Sequence, residues 1–144
     1  LVLMGHSAGA YIAAAVALDE RWGAKPVVGG FIGLAGPYDF GAEEVSPPAI
    51  FAASPRVVAA PGPLEGSCPL LLLHGAADVT VGPYHSRILA ERARRAGVAV
   101  RHVAYPGMGH IGIVAALAAP VRAIGLARGD VLGEVRRFLA VQAS

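Results

Sequence analysis

Two hydrophobic periods alternate along the chain. Residues 1–4 (LVLM) form an unbroken apolar run that ends at Gly5 and predicts a strand. An alanine-rich segment at 8–20 predicts a helix, and residues 27–35 (VVGGFIGLA) a strand containing glycines. Residues 69–74 (PLLLLH) are apolar at every pleat position, the mark of a strand covered on both faces. A helix is predicted over 83–96, with Pro83 suited to its first position and Gly97 to its C-terminal cap. Residues 98–105 (VAVRHVAY) predict a strand whose Arg101 and His102 place it at a sheet edge. A short helix near 111–118 follows. A last helix at about 130–142 carries Val131, Leu132, Val135, Phe138 and Leu139 on one apolar stripe. Residues 36–68 are irregular, with Pro47, Pro48, Pro55, Pro61 and Pro63 breaking any period. Strands alternating with helices imply one α/β domain: a parallel sheet of about four strands with helices on both faces.

Composition narrows the functional classes. Hydrophobic residues make up 55% of the 144 positions and charged residues 15%, so the chain can bury a core and is not disordered. A net charge of +2 is too small to argue for a nucleic-acid partner, and the basic pI of 9.0 reflects scattered arginines, several at helix ends. The single cysteine, Cys68, excludes an intrachain disulfide and a cysteine metal cluster; before a buried strand it reads as an inert thiol. No apolar run reaches the ~20 residues of a membrane-spanning helix. No pair of histidines or cysteines has metal-ligand spacing, and no cofactor is expected.

In a parallel α/β sheet the chemistry sits beyond the carboxyl ends of the strands. Ser7 lies there, in Gly-His-Ser-Ala-Gly between the first strand and the first helix. Gly-x-Ser-x-Gly at such a junction is a nucleophile elbow: a sharp turn exposes the serine oxygen, and Gly5 and Gly9 leave room for strand and helix to approach. The Ala8 N–H, at the helix start, is placed to serve as an oxyanion donor. Asp78, in LLLLHGAADVTV, lies four residues past an apolar strand and is the favoured acid. Asp39, in LAGPYDF, is the rival, and each also fits a turn or cap. His110, in YPGMGHIGI, follows the last strand by a glycine-rich loop. Among the other histidines, His6 lies inside the elbow and is expected to point away from the neighbour of its own serine. His74 is read as a structural hydrogen-bonder, and His85 and His102 as solvated or packing residues.

Ser, Asp, His, one per strand end in that order, is the order of α/β hydrolases. The stretches GHSAGAYIAA, GLAGPYDF, PLLLLHGAADVTV and YPGMGHIGI resemble the C-terminal half of an α/β hydrolase of the esterase/lipase kind, near the carboxylesterase, hormone-sensitive-lipase-like and feruloyl-esterase-like group. The resemblance implies hydrolysis of a small-molecule ester through Ser7, Asp78 and His110, with amide or peptide cleavage by the same residues as the alternative. It implies that 36–68 is a lid-like insertion, whose Tyr38, Phe40, Ile50 and Phe51 either line a pocket or fill a satellite core. Tyr11 is expected to pack in the core. The "ERARRAG" stretch is read as a solvated helix end, with Glu91 in range of Arg94 and Arg95. The resemblance also implies that residues 1–144 are a partial domain. Strand 1–4 is then an open apolar edge, and the His-Gly-Gly-type loop that gives the second oxyanion donor is outside the chain, so that the chain alone is expected to aggregate and to turn over poorly.

Overall fold

The computed structural model describes residues 1–38, 64–125 and 129–143. Four strands, β1 (Val2–His6), β2 (Gly30–Leu34), β3 (Leu70–Gly75) and β4 (Val100–Tyr105), pair in parallel and in chain order. Helices α1 (Ala8–Leu18), α2 (Tyr84–Arg95), α3 (His110–Ala115), α4 (Ala119–Ala123) and α5 (Val131–Gln142) connect or follow them.

The pleat of β3 explains its four leucines. Leu70 and Leu72 join Phe31, the alanines of α1 and Leu89, Ala90 and Ala93 of α2 on one face. Leu71 and Leu73 join Ile32, Leu34, Ile113, Val131 and Val135 on the other. All four leucines are at most 1% exposed, and burial of each contributes about 1.5–3 kcal/mol. Helix α1 has no apolar stripe; its small side chains let it lie close on the sheet, with Ala10, Ala14 and Ala17 fully buried. Glycines in β2 make space for large neighbours. The position a Cβ would take on Gly33 is filled by the Tyr38 hydroxyl and the Phe31 ring, and that on Gly30 touches the Phe138 ring. Strands β1 and β4 are the edges of the sheet. Leu1 and Met4 beside the first edge are 75% and 51% exposed.

Several boundaries differ from the sequence expectation. The first helix stops at Leu18 because the Asp19 carboxylate accepts from the Arg21 N–H and opens a 3₁₀ turn. Residues 25–27 are also 3₁₀, so β2 begins only at Gly30. The helix expected near 111–118 runs over His110–Ala115, and a further short helix, Ala119–Ala123, follows after extended Ala118, with Pro120 in its first turn where no N–H is needed. Pro83 is the N-terminal cap of α2 and not its first residue; Gly97 follows the helix with φ 71° and donates to the Arg94 carbonyl at 3.1 Å. On α5 Val131 and Val135 are buried and Phe138 packs on the core as expected, but one position of the stripe departs. Leu139 is 42% exposed, while Glu134 is 7% exposed and bonds to Arg101 of β4. That bond makes a carboxylate tolerable on the inner face and holds its pKa down to about 2. Glu91 bonds to Arg87, one turn earlier, at 3.1 Å. Of the proline-rich segment, residues 39–63, with Asp39, Phe40, Ile50 and Phe51, lie outside the described residues.

Candidate active site

Ser7 occupies a backbone conformation that non-glycine residues rarely adopt, φ 55° and ψ −127°. Such a conformation costs on the order of 1–3 kcal/mol and persists only where its surroundings enforce it. Three contacts do so. The Ser7 N–H donates to the Leu34 carbonyl at 2.9 Å, continuing the β1–β2 pairing, and the Ser7 carbonyl accepts from the N–H groups of Ala10 and Tyr11. Gly5 lies directly against α1: a Cβ there would stand 2.3 Å from the Gly9 carbonyl oxygen. At Gly9 itself a Cβ would meet nothing within 4 Å among the described residues. The room needed for the close approach is therefore at Gly5; Gly9 contributes its backbone.

Serine at a helix N-terminal cap ordinarily turns its hydroxyl onto the helix. Here it makes no cap bond. The Ser7 Oγ lies 2.9 Å from His110 Nε2. Within α1 the Ala8 N–H has no acceptor four residues back and stands at the positive end of the helix dipole.

His110 opens α3, five residues beyond β4. Its Nδ1 lies 2.7 Å from Asp78 Oδ2. A carboxylate only accepts, so the proton of the neutral ring sits on Nδ1, and Nε2 presents a lone pair to the Ser7 O–H. Asp78 has a fully buried side chain. Its Oδ1 accepts from the N–H groups of Thr80 and Val81, each at 2.9 Å. Burial alone raises its pKa, but the bonds from the Val81 N–H, His110 and the Thr80 N–H outweigh it and hold the carboxyl below its ordinary range.

The loops that carry Asp78 and His110 are laced together. Ala76 N–H donates to the Tyr105 carbonyl at 2.9 Å, and Ala77 N–H to the Met108 carbonyl at 3.0 Å. Gly75 permits this crossing, since a Cβ there would stand 2.2 Å from the Met108 carbonyl oxygen. The spacing of acid and imidazole is thus set by backbone and not by side-chain rotamers alone.

Two further histidines border the site. His6 donates from Nε2 to the His110 carbonyl at 3.1 Å, and the two rings lie 4.8 Å apart. Its position just before Ser7 was the only sequence signal for this contact. His74 is fully buried and bonded, as expected of a structural residue. His85 is buried and stacks on Tyr84. His102 is half-buried, and burial lowers its pKa. Tyr38 is fully buried, edge-on to Phe31 in the core on the α1 side, and burial raises its pKa. Tyr11 packs in the same core, as does Cys68, whose thiol burial keeps protonated. Among the described residues no three histidine, cysteine or acidic side chains gather as a metal site, and no helix is long and apolar enough to cross a membrane.

The arrangement can pass a proton from a serine hydroxyl to an imidazole whose charged form faces a buried carboxylate. The same fold recurs in solved structures of low identity. The apo form of Thermogutta terrifontis esterase 2 is 19% identical, with a TM-score of 0.62, over 90% of this chain and 57% of that one. MGS-M1, an alpha/beta hydrolase from a Medee basin deep-sea metagenome library, is 14% identical, with a TM-score of 0.63, over 98% of this chain and 51% of that one. Esterase PE8 is 22% identical, with a TM-score of 0.51, over 76% and 41% respectively. The chain thus spans roughly half the length of the structures it matches. No curated protein matches it in sequence. The family model described as the prolyl oligopeptidase family matches residues 50–121, half of the chain, including Asp78 and His110. With the parallel sheet and the serine turn at its carboxyl edge, that match identifies an α/β hydrolase, and the chain belongs to the prolyl oligopeptidase family.

Proposed function

We propose that the protein is a serine hydrolase that cleaves carboxylic esters of small or medium acyl groups through an acyl-enzyme on Ser7. The observation that carries this reading is the pair of bonds on one imidazole: Ser7 Oγ to His110 Nε2 at 2.9 Å, and His110 Nδ1 to Asp78 Oδ2 at 2.7 Å. His110 takes the Ser7 proton as Oγ attacks the ester carbonyl. Asp78 holds the tautomer and stabilises the imidazolium. The Ala8 N–H donates to the oxyanion of the tetrahedral intermediate. Collapse breaks the bond to the alcohol oxygen, which leaves with the proton from His110. Water, deprotonated by the same imidazole, attacks the acyl-serine; the acid departs and Ser7 recovers its proton. Each step balances with substrate, water and these side chains.

Two of the structural neighbours are esterases, which favours an ester substrate. Membership of the prolyl oligopeptidase family favours a second reading, cleavage of a peptide bond by the same residues. The two separate on p-nitrophenyl acetate or butyrate against a peptidyl p-nitroanilide. Ser7→Ala, Asp78→Asn and His110→Ala are each expected to lower ester turnover by about 10⁴-fold or more with the fold intact. Asp39→Asn is expected to cost far less than Asp78→Asn. A fluorophosphonate probe should label Ser7 and no other serine. Ester turnover that survives Ser7→Ala would overturn the assignment, and turnover of the anilide alone would replace the ester reading with the peptide one.

A further inference from the structure

His74, the penultimate residue of β3, has no part in the steps above, yet its side chain has no solvent exposure and every ring nitrogen is engaged. Nε2 lies 3.0 Å from the Val81 carbonyl oxygen and 3.3 Å from Asp78 Oδ2. Both are acceptors, so Nε2 must carry the proton. Nδ1 is then a lone pair, and the Ser86 hydroxyl of α2, 2.7 Å away and itself fully buried, donates to it. Burial lowers the His74 pKa and favours this neutral form.

We propose that His74, with its tautomer set by Ser86, is a positioning residue for Asp78. Its N–H pins the Asp78–Val81 turn through the Val81 carbonyl, and that turn supplies the two backbone N–H groups that grip Oδ1. Nε2 also lies 3.3 Å from Oδ2, the oxygen that faces His110, so its proton stabilises that oxygen electrostatically. Ser86 fixes the His74 proton on Nε2, that proton holds the Val81 carbonyl, and the turn so held grips the carboxylate in one rotamer. Helix α2 thereby sets the geometry of the site from outside it. The inference rests on the serine-hydrolase reading for its effect on rate, but its spectroscopic test does not.

In ¹⁵N-histidine-labelled protein at neutral pH, two-bond ¹H–¹⁵N correlations should place the His74 proton on Nε2; a proton on Nδ1 would overturn the proposal. The His110–Asp78 bond should give a low-field proton signal that Asp78→Asn removes. His74→Gln, whose amide can donate and accept along similar directions, should keep that signal and stay within about tenfold of the original turnover. His74→Leu should lose it and lower kcat on the order of 10²-fold with KM little changed. Equal turnover and an unchanged signal in the Gln and Leu variants would reduce His74 to packing. Should the Leu variant not fold, Ser86→Ala decides: the low-field signal should shift and kcat fall severalfold, whereas no change in either overturns the proposal. The expected tautomer and signal without turnover on any ester or anilide would count against the hydrolase reading alone and support the positioning.

Discussion

A methyl group added at Gly5 and one added at Gly9 are expected to act in opposite directions, although the two glycines are symmetric in the sequence around Ser7. At Gly5 the new carbon would stand 2.3 Å from the Gly9 carbonyl oxygen, 2.5 Å from its carbon and 2.6 Å from the Ala10 nitrogen. All three are backbone atoms of the first turn of α1, so no side-chain rotation relieves the overlap. Strand and helix must separate by about 1 Å to reach ordinary contact, and overpacking of this kind costs about 1–3 kcal/mol. The separation opens the turn that holds Ser7, whose N–H is bonded to Leu34 on one side and whose carbonyl is bonded into α1 on the other. Displacing Oγ by about 1 Å from His110 lowers turnover on the order of 10²-fold. At Gly9 the added carbon meets nothing within 4 Å among the described residues, and Gly9 has no left-handed backbone. Alanine is the better helix former, so Gly9→Ala should be neutral or up to about 1 kcal/mol more stable. Urea unfolding of the Gly5→Ala and Gly9→Ala variants reads the stabilities, and fluorophosphonate labelling rates read the serine. Equal stability and labelling in the two variants would refute the assignment of the close contact to Gly5.

Gly75→Ala should slow fluorophosphonate labelling more than it destabilises the fold, because its added carbon would strike the Met108 carbonyl and push the loop carrying His110 away from Asp78. Comparing labelling rate with urea midpoint checks this, and an unchanged rate would show that the loop has slack. Stability should fall on acidification below the ordinary histidine pKa of about 6.5, where the unfolded chain binds a proton that buried His74 does not. The slope from His74 is at most about 1.4 kcal/mol per pH unit, and His74→Gln should remove that share from urea midpoints measured between pH 7.5 and 5. The Asp78 contribution has the opposite chemistry and a lower window: its depressed pKa keeps its stabilisation in place until pH falls below the ordinary aspartate value of about 4.

Much of the fold follows from short-range patterns. PLLLLH could only be a strand with two covered faces, since each leucine has a core on its own side of the pleat. The elbow was legible in GHSAG because a glycine–serine turn between an apolar run and an alanine-rich helix has few other geometries. The candidate residues were nameable because each lies just past a strand end, a position that chain order alone supplies. What tertiary structure decided is which of these groups meet. Ser7 and His110 are 103 residues apart, Asp78 and His110 are 32 apart, and no local preference encodes either distance. The backbone lacing of residues 75–78 to 105–108, which sets the acid–imidazole spacing, has no sequence signature beyond Gly75. His6 and His74 have the same chemistry in the sequence; packing turns one onto the His110 carbonyl and seals the other between Ser86 and Asp78. On α5 the apolar stripe predicted Leu139 inward, but Leu139 is exposed and Glu134, bonded to the Arg101 guanidinium of β4, is buried instead. Periodicity records which side chains avoid water, whereas pairing between distant charges and hydrogen-bonding groups is settled only when the sheet brings their elements together.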